Sequence, residues 1–176
     1  MNTAFTAQER KRIKTAEIVS FIIASILGVI FHFVYNWSGQ IRILGFFVPI
    51  NESIWEHLKL IFYPIIIVSL AEYWIGNIHS ENFLCIKTRS IWLGILSTVI
   101  LFYTYSGVLG QVKDWVNILI YFIAMGMAYC FSYRRLAQLK PAKSAPVLCI
   151  IGLTVAAILF MIFSLYPPTL GIFAEP

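Results

Sequence analysis

Asn51-Glu52-Ser53-Ile54-Trp55-Glu56-His57-Leu58-Lys59 runs directly into the apolar segment Leu60 to Ala71, and the reading of that junction decides how many times the chain crosses a membrane. The uncharged segment has only twelve residues between Lys59 and Glu72, whereas crossing about 30 Å of hydrocarbon takes about 20 helical residues. It can span only if flanking polar residues are drawn into the bilayer. Ser53-Ile54-Trp55-Glu56 fits the S-x-x-E capping box, in which the serine accepts from the backbone three residues on and the glutamate reaches back to the first free donors. A helix over 53–76 follows, and it carries Glu56, His57 and Lys59 toward the membrane with it.

The remaining spans read more plainly. Of the 176 residues, 60% are hydrophobic and 12% charged, and the mean hydropathy of +0.82 lies outside the range of a soluble domain. Charge-free intervals run from Ile18 to Ile41, Ser90 to Val112, Trp115 to Tyr133 and Ser144 to Ala174. Pro167-Pro168 stops the last helix near Tyr166. The expectation is an all-α polytopic membrane protein, a single membrane domain over 1–176 with five transmembrane helices at about 16–37, 53–76, 90–112, 115–133 and 144–166.

Lys and Arg divide ten to three between alternate flanks, which puts the N-terminus in the cytoplasm and the C-terminus outside. Trp37, Trp55 and Trp115 then fall at outer helix ends, with Trp74 and Trp92 at inner ends, as interfacial tryptophans do. The basic N-terminal stretch leads into an apolar run with no small-residue cleavage motif, so the first helix is expected to be retained. The net charge of +5 belongs to such loop anchors, and nucleic acid is excluded because no basic patch interleaves with exposed aromatics. Three cysteines in these positions imply neither a disulfide framework nor a C-x-x-C metal site.

Helices of alternating direction bring distant polar residues to one depth. His32 and Tyr35 fall at the outer end of the first helix, Glu52, Ser53, Glu56, His57 and Lys59 at the outer end of the second, and Tyr103, Tyr105 and Ser106 in the outer half of the third. Ionisable groups at such depth usually face a protein interior or a water-filled cavity and are functional-site candidates. A step of 100° per residue puts Glu52, Glu56, Lys59 and Tyr63 on one face, with Ser53 and His57 beside it. Glu52, Glu56, His57 and His32 are therefore the candidate catalytic groups, with Tyr35, Ser53, Lys59, Tyr103, Tyr105 and Ser106 lining the substrate. His32, Glu52 and Glu56 form a candidate ligand set for zinc or manganese, although their spacing matches no H-E-x-x-H type signature. The bland alternative is that helix-dipole stabilisation favours the two glutamates, that Lys59 snorkels to the headgroups, and that the cluster only locks helices together. Glu72 reads as an inner-end anchor or the partner of a cytoplasmic Lys or Arg, and His79 as a solvated loop residue.

Phe31-His32-Phe33-Val34-Tyr35-Asn36-Trp37-Ser38-Gly39, Pro49 to Leu60, Phe102-Tyr103-Thr104-Tyr105-Ser106-Gly107 and Tyr166-Pro167-Pro168 together resemble a domain-of-unknown-function family of small polytopic bacterial membrane proteins, found mainly in Firmicutes. The resemblance implies a multi-pass protein of the bacterial inner membrane and carries no activity with it. With three His and no Asp inside a span, the chain differs from the alkaline-ceramidase-like membrane hydrolases. The function expected from the residues is a metal- or acid/base-dependent enzyme acting on membrane lipids or a lipid-linked substrate. The rivals are a small transporter or binding subunit for a cation or proton-coupled solute, and a structural or assembly partner of another membrane protein.

Overall fold

The computed structural model describes residues 6–75, 82–138 and 145–175. Its main elements are α1 (Ala7–Trp37), the single turn α2 (Ile54–His57) continued past Leu58 as α3 (Lys59–Trp74), α4 (Phe83–Leu109), α5 (Asp114–Leu136) and α6 (Pro146–Leu165). No strand occurs among the described residues. Five segments are long and apolar enough to cross a membrane, with Ile54–Trp74 counting as one, so the chain is an all-helical, multi-pass membrane protein. The expected inner end of the second helix at Gly76, the start of the fifth at Ser144, and His79 lie outside the described residues.

The helix limits follow local chemistry. Ser53 caps α2 through its Oγ, which accepts from the Glu56 N–H at 3.4 Å. The other half of the expected capping box is replaced: Glu56 reaches back to the Ile50 N–H at 3.0 Å, and the Ser53 N–H donates to Asn51 Oδ1. α4 ends at Leu109 because Gly110 takes a left-handed φ of 64°, a cap that favours glycine. α6 ends at Leu165, just before Pro167-Pro168. The sequence places the third helix at Ser90, but α4 begins at Phe83, because Lys87 is buried within it and is not a loop charge.

α1, α3, α4 and α5 form a closed ring in which each packs on the next, and α6 lies outside it against α4. Accordingly 67% of the Ile54–Trp74 window is buried against 11% for α6. The buried stripe of α1, Ile13, Glu17, Ser20, Ala24 and Gly28, repeats at helical spacing and is built largely of small residues, the pattern that lets membrane helices approach closely. At Gly28 the approach is closest: a β-carbon there would stand 2.8 Å from the Leu60 carbonyl of α3 and 2.1 Å from the Tyr121 hydroxyl of α5. Pro64, inside α3, has no N–H to offer the Leu60 carbonyl, which faces this contact. A core of Ala24, Ile61, Ile65, Ile91, Ala124, Met125 and Ala128 fills the ring.

Trp37, Trp74 and Trp115 are well exposed at helix ends, as membrane anchors should be. Trp55 is not one of them. It packs on Phe160, Phe163 and Phe173 at ring separations of 4.9, 5.4 and 4.9 Å, tying α2 to α6 and to the turn Gly171–Phe173. The cysteines also depart from expectation, since Cys85 and Cys149 form a disulfide between α4 and α6 and Cys130 is free.

Gly28→Ala is expected to cost about 1–3 kcal/mol through overpacking against backbone, seen as a lowered melting temperature of the purified protein. An unchanged melting temperature would mean that α1 and α3 are not packed this closely.

Candidate functional site

The site is built where α1 ends and α2 begins. The intervening segment turns back compactly through Gly39 and Gln40, both with positive φ, and a short 3-10 turn at Leu44–Phe46. It therefore returns the chain beside His32. There His57 Nε2 lies 3.3 Å from Glu52 Oε2, and His32 Nε2 lies 4.0 Å from Glu52 Oε1. The two imidazole rings are 5.2 Å apart. One ligand atom from each of His32, Glu52 and His57 falls within 4.8 Å of the others.

Protonation states follow from the neighbours. His57 Nδ1 stands 2.8 Å from the Ser53 carbonyl, which can only accept, so Nδ1 carries a hydrogen and a neutral ring turns its Nε2 lone pair toward Glu52. A lone pair and a carboxylate oxygen 3.3 Å apart are an arrangement that a metal ion can bridge. A carbonyl holding the far nitrogen is also the usual support for a ligating histidine. Tetrahedral ligand atoms at about 2.0–2.1 Å from zinc lie about 3.3–3.4 Å apart, so the His57–Glu52 pair is already spaced for one, and His32 has to move inward from its 4.0 Å approach to the other Glu52 oxygen.

These residues form one wall of a cavity of about 600 Å³ at the mouth of the four-helix ring. Thr98 and Phe102 of α4 line it, and α5 supplies Asp114, Asn117 and Tyr121. The sequence reading places the pocket among the first three spans and misses this fourth wall. Its signal was present as Asp114-x-x-Asn117-x-x-x-Tyr121, a polar stripe at helical spacing, but Asp114 looked like a loop charge. Tyr121 donates to the Ser25 carbonyl at 3.0 Å, which fixes α5 against α1.

Glu56 is not in this cavity. Its Oε2 accepts from Lys59 Nζ at 2.6 Å and its Oε1 from the Ser164 hydroxyl at 2.7 Å. The helical wheel grouped Glu52 with Glu56 and Lys59, but Glu52 precedes the extended cap residue Ser53 and leaves the helical phase. His57 thus takes the place expected of Glu56 beside His32 and Glu52. Lys59 does not snorkel either: it is fully buried, and its ammonium also donates to the Gly45 carbonyl at 2.7 Å and to Ser164 Oγ at 2.6 Å.

The other expected lining residues hold the frame. Ser53 caps α2, and Ser106 donates back to the Phe102 carbonyl. Tyr35 lies against Gly45, and Tyr103 is exposed with its hydroxyl near Gly171. Tyr105 stands one step behind the cavity, donating to Asn117 Oδ1 at 2.5 Å and accepting from the Lys113 N–H at 3.3 Å.

A family model matches residues 2–176, nearly the whole chain. The chain belongs to DUF6512, a family of unknown function. No curated protein and no solved structure matches it. Membership of DUF6512 agrees with the resemblance carried by the four motifs and brings no activity, so chemistry has to come from the geometry of this site.

Lys59→Met, which strands the Glu56 carboxylate, is expected to cost about 3–5 kcal/mol, and adding Glu56→Gln should restore most of it by removing the unpaired charge. Thermal unfolding of both variants in detergent checks this. Equal loss in the single and double variants would remove the ion-pair account.

Proposed function

We propose that this protein is a metal-assisted membrane hydrolase whose substrate is amphipathic, a membrane lipid or lipid-linked molecule presenting its headgroup to the cavity. The observation that carries the reading is the convergence of His32, Glu52 and His57 on the wall of an open cavity between helices. Two histidines and one carboxylate leave a further ligand position open, as catalytic zinc sites do. A divalent ion bound there supplies Lewis-acid polarisation of a scissile carbonyl or phosphoryl group and an activated water. Asp114 and Glu175, the further carboxylates lining the cavity, can accept a proton, and Asn117, oriented by Tyr105, can donate a hydrogen bond to the headgroup. Exposed apolar residues on the outside of the same helices, such as Ile118, suit acyl chains entering from lipid.

Transport is supported less well. Ala24, Ile65, Ile91, Ala124 and Met125, all at or below 1% exposure, belong to the core beneath the cavity, and among the described residues the cavity shares no lining residue with the clefts beside Lys87 and Glu17.

The same reading sets the His32 end on the outer side of a bacterial inner membrane, with the N-terminus in the cytoplasm. Arg10, Lys11, Arg12, Lys14, Arg89, Arg134 and Arg135 flank the opposite end, whereas Arg42 and Lys113 flank this one. The inverse orientation is favoured by one observation: Cys85–Cys149 joins α4 and α6 at the basic end, and disulfides are rare on the cytoplasmic side. In a cysteine-free background, cysteine at Gln111 should react with an impermeant thiol reagent in intact cells and cysteine at Gln138 should not. The reverse pattern establishes the inverted topology.

Metal binding is measured directly on purified, chelator-stripped protein titrated with zinc. One equivalent per chain is expected, weakened at least tenfold in His32→Ala, His57→Ala and Glu52→Gln. The triple variant then serves as the blank for mass-spectrometric detection of cleaved headgroups or acyl chains from a total lipid extract. Binding no tighter in the wild type than in the triple variant removes the metal reading.

A further inference from the structure

A second polar centre lies at the other end of the ring, about 22 Å from the first by the 1.5 Å rise over the fifteen residues of α1 between Glu17 and His32. Each ring helix contributes one residue: Glu17 from α1, Glu72 from α3, Lys87 from α4 and Ser132 from α5. All four are buried, none more than 5% exposed. Lys87 Nζ donates to Glu17 Oε1 and to Glu72 Oε2, both at 2.6 Å, and the Ser132 hydroxyl donates to Glu17 Oε1 at 2.8 Å. The ammonium also lies 5.2 Å from the ring centre of Tyr129 and 5.3 Å from that of Phe83. Glu72 thus has the lysine partner that the sequence led us to expect, but inside the bundle.

Two features are left over. Glu17 Oε2, Glu72 Oε1 and the Tyr129 hydroxyl are buried without a hydrogen-bond partner among the described residues. Two carboxylates against one ammonium also leave a net negative charge away from water, a costly state that proteins relieve by neutralising one group. A metal ion does not fit this need, because the ammonium already bridges the two carboxylates. One proton removes the charge and turns an orphan acceptor into a donor without moving a heavy atom.

We infer that Glu17, Glu72 and Lys87 form a proton-binding site that holds one exchangeable proton shared between the two carboxyl groups and loaded from the cleft between α1 and α5. That cleft, of about 230 Å³, is lined by Lys14, Glu17, Tyr129, Cys130 and Tyr133, and Lys14 is exposed at its mouth. The titratable groups that face the site are Glu17 and Lys14 from α1, Glu72 and Tyr73 from α3, Lys87 from α4, and Tyr129, Cys130 and Tyr133 from α5. From α6 the apolar Leu153 comes near. The site is separate from the His32 cavity and does not depend on what that cavity does.

Infrared difference spectroscopy on the full chain in lipid nanodiscs tests it. The wild type should show the carbonyl stretch of a protonated carboxylic acid at neutral pH, shifted in D2O and fading as pH rises while circular dichroism reports intact helix. Glu17→Gln and Glu72→Gln should each abolish the band, since the remaining carboxylate then balances Lys87. Lys87→Met should intensify it up to twofold, because both acids then stay protonated. Where one glutamine variant does not fold, the other and Lys87→Met carry the assignment, as they move the band in opposite directions. No band in the wild type, a band indifferent to these substitutions, or one unchanged across the whole folded pH range overturns the inference.

Discussion

Lys59 brings an ammonium group to zero exposure at the start of a membrane helix, and the architecture around the candidate site is arranged to satisfy it. Its short contacts go to three different parts of the chain: the Gly45 carbonyl in the connecting segment, the Glu56 carboxylate in α2 and the Ser164 hydroxyl in α6. An isolated charge in that position would be expensive by several kcal/mol, so each of these groups is held where the ammonium needs it. The compact return of the segment between α1 and α2 is a consequence, and with it the adjacency of His32 to Glu52 and His57. α6, which has little buried surface of its own, is fixed to the ring at this end by the same bonds and by the aromatic contacts of Trp55.

This division of labour separates two neighbouring residues that look equivalent in one dimension. Glu56 is spent on neutralising Lys59, with both its oxygens committed to Lys59, Ser164 and the Ile50 amide. Glu52 sits in the segment before the cap, 65% exposed at its side chain, and its ionic contacts among the described residues are to the two histidines. A carboxylate with open coordination on a cavity wall can take a ligand. A buried, saturated one cannot do so without unfolding its surroundings.

The fold was legible because bilayer physics is coarse: charge-free length, an S-x-x-E start and a double-proline stop are enough to count five spans. Even the short run Leu60–Ala71 is read correctly as a span that draws its polar flank inward. What the sequence hid was pairing across helices. Lys59 meets Ser164, 105 residues away, and Glu17 meets Lys87 and Ser132, 70 and 115 residues away. Which helices are neighbours decides these, and one sequence does not state it. The rule that charges mark span ends also misplaced Lys87 as a loop residue, since it assumes that no charge inside a span is internally matched. The phase error at Glu52 had a similar origin, because a helical wheel says nothing about residues before the cap.

The two polar centres share their scaffolding. α1 carries His32 and Glu17, and α5 carries Tyr121 of the cavity wall and Ser132 of the buried network, and the core between them mixes alanines, Met125, branched aliphatics and aromatics with buried hydroxyls such as Ser20, Ser25 and Ser97. Influence of one centre on the other can be carried mechanically, by movement of a rigid helix, and a demonstrated second arrangement of that helix would be its physical warrant. The element that joins the two centres is α1: its Gly28 backbone rests on α3 and Tyr121, Tyr121 also holds its Ser25 carbonyl, and Glu17 is bound to Lys87 and Ser132, so any tilt of α1 has to disturb both ends at once.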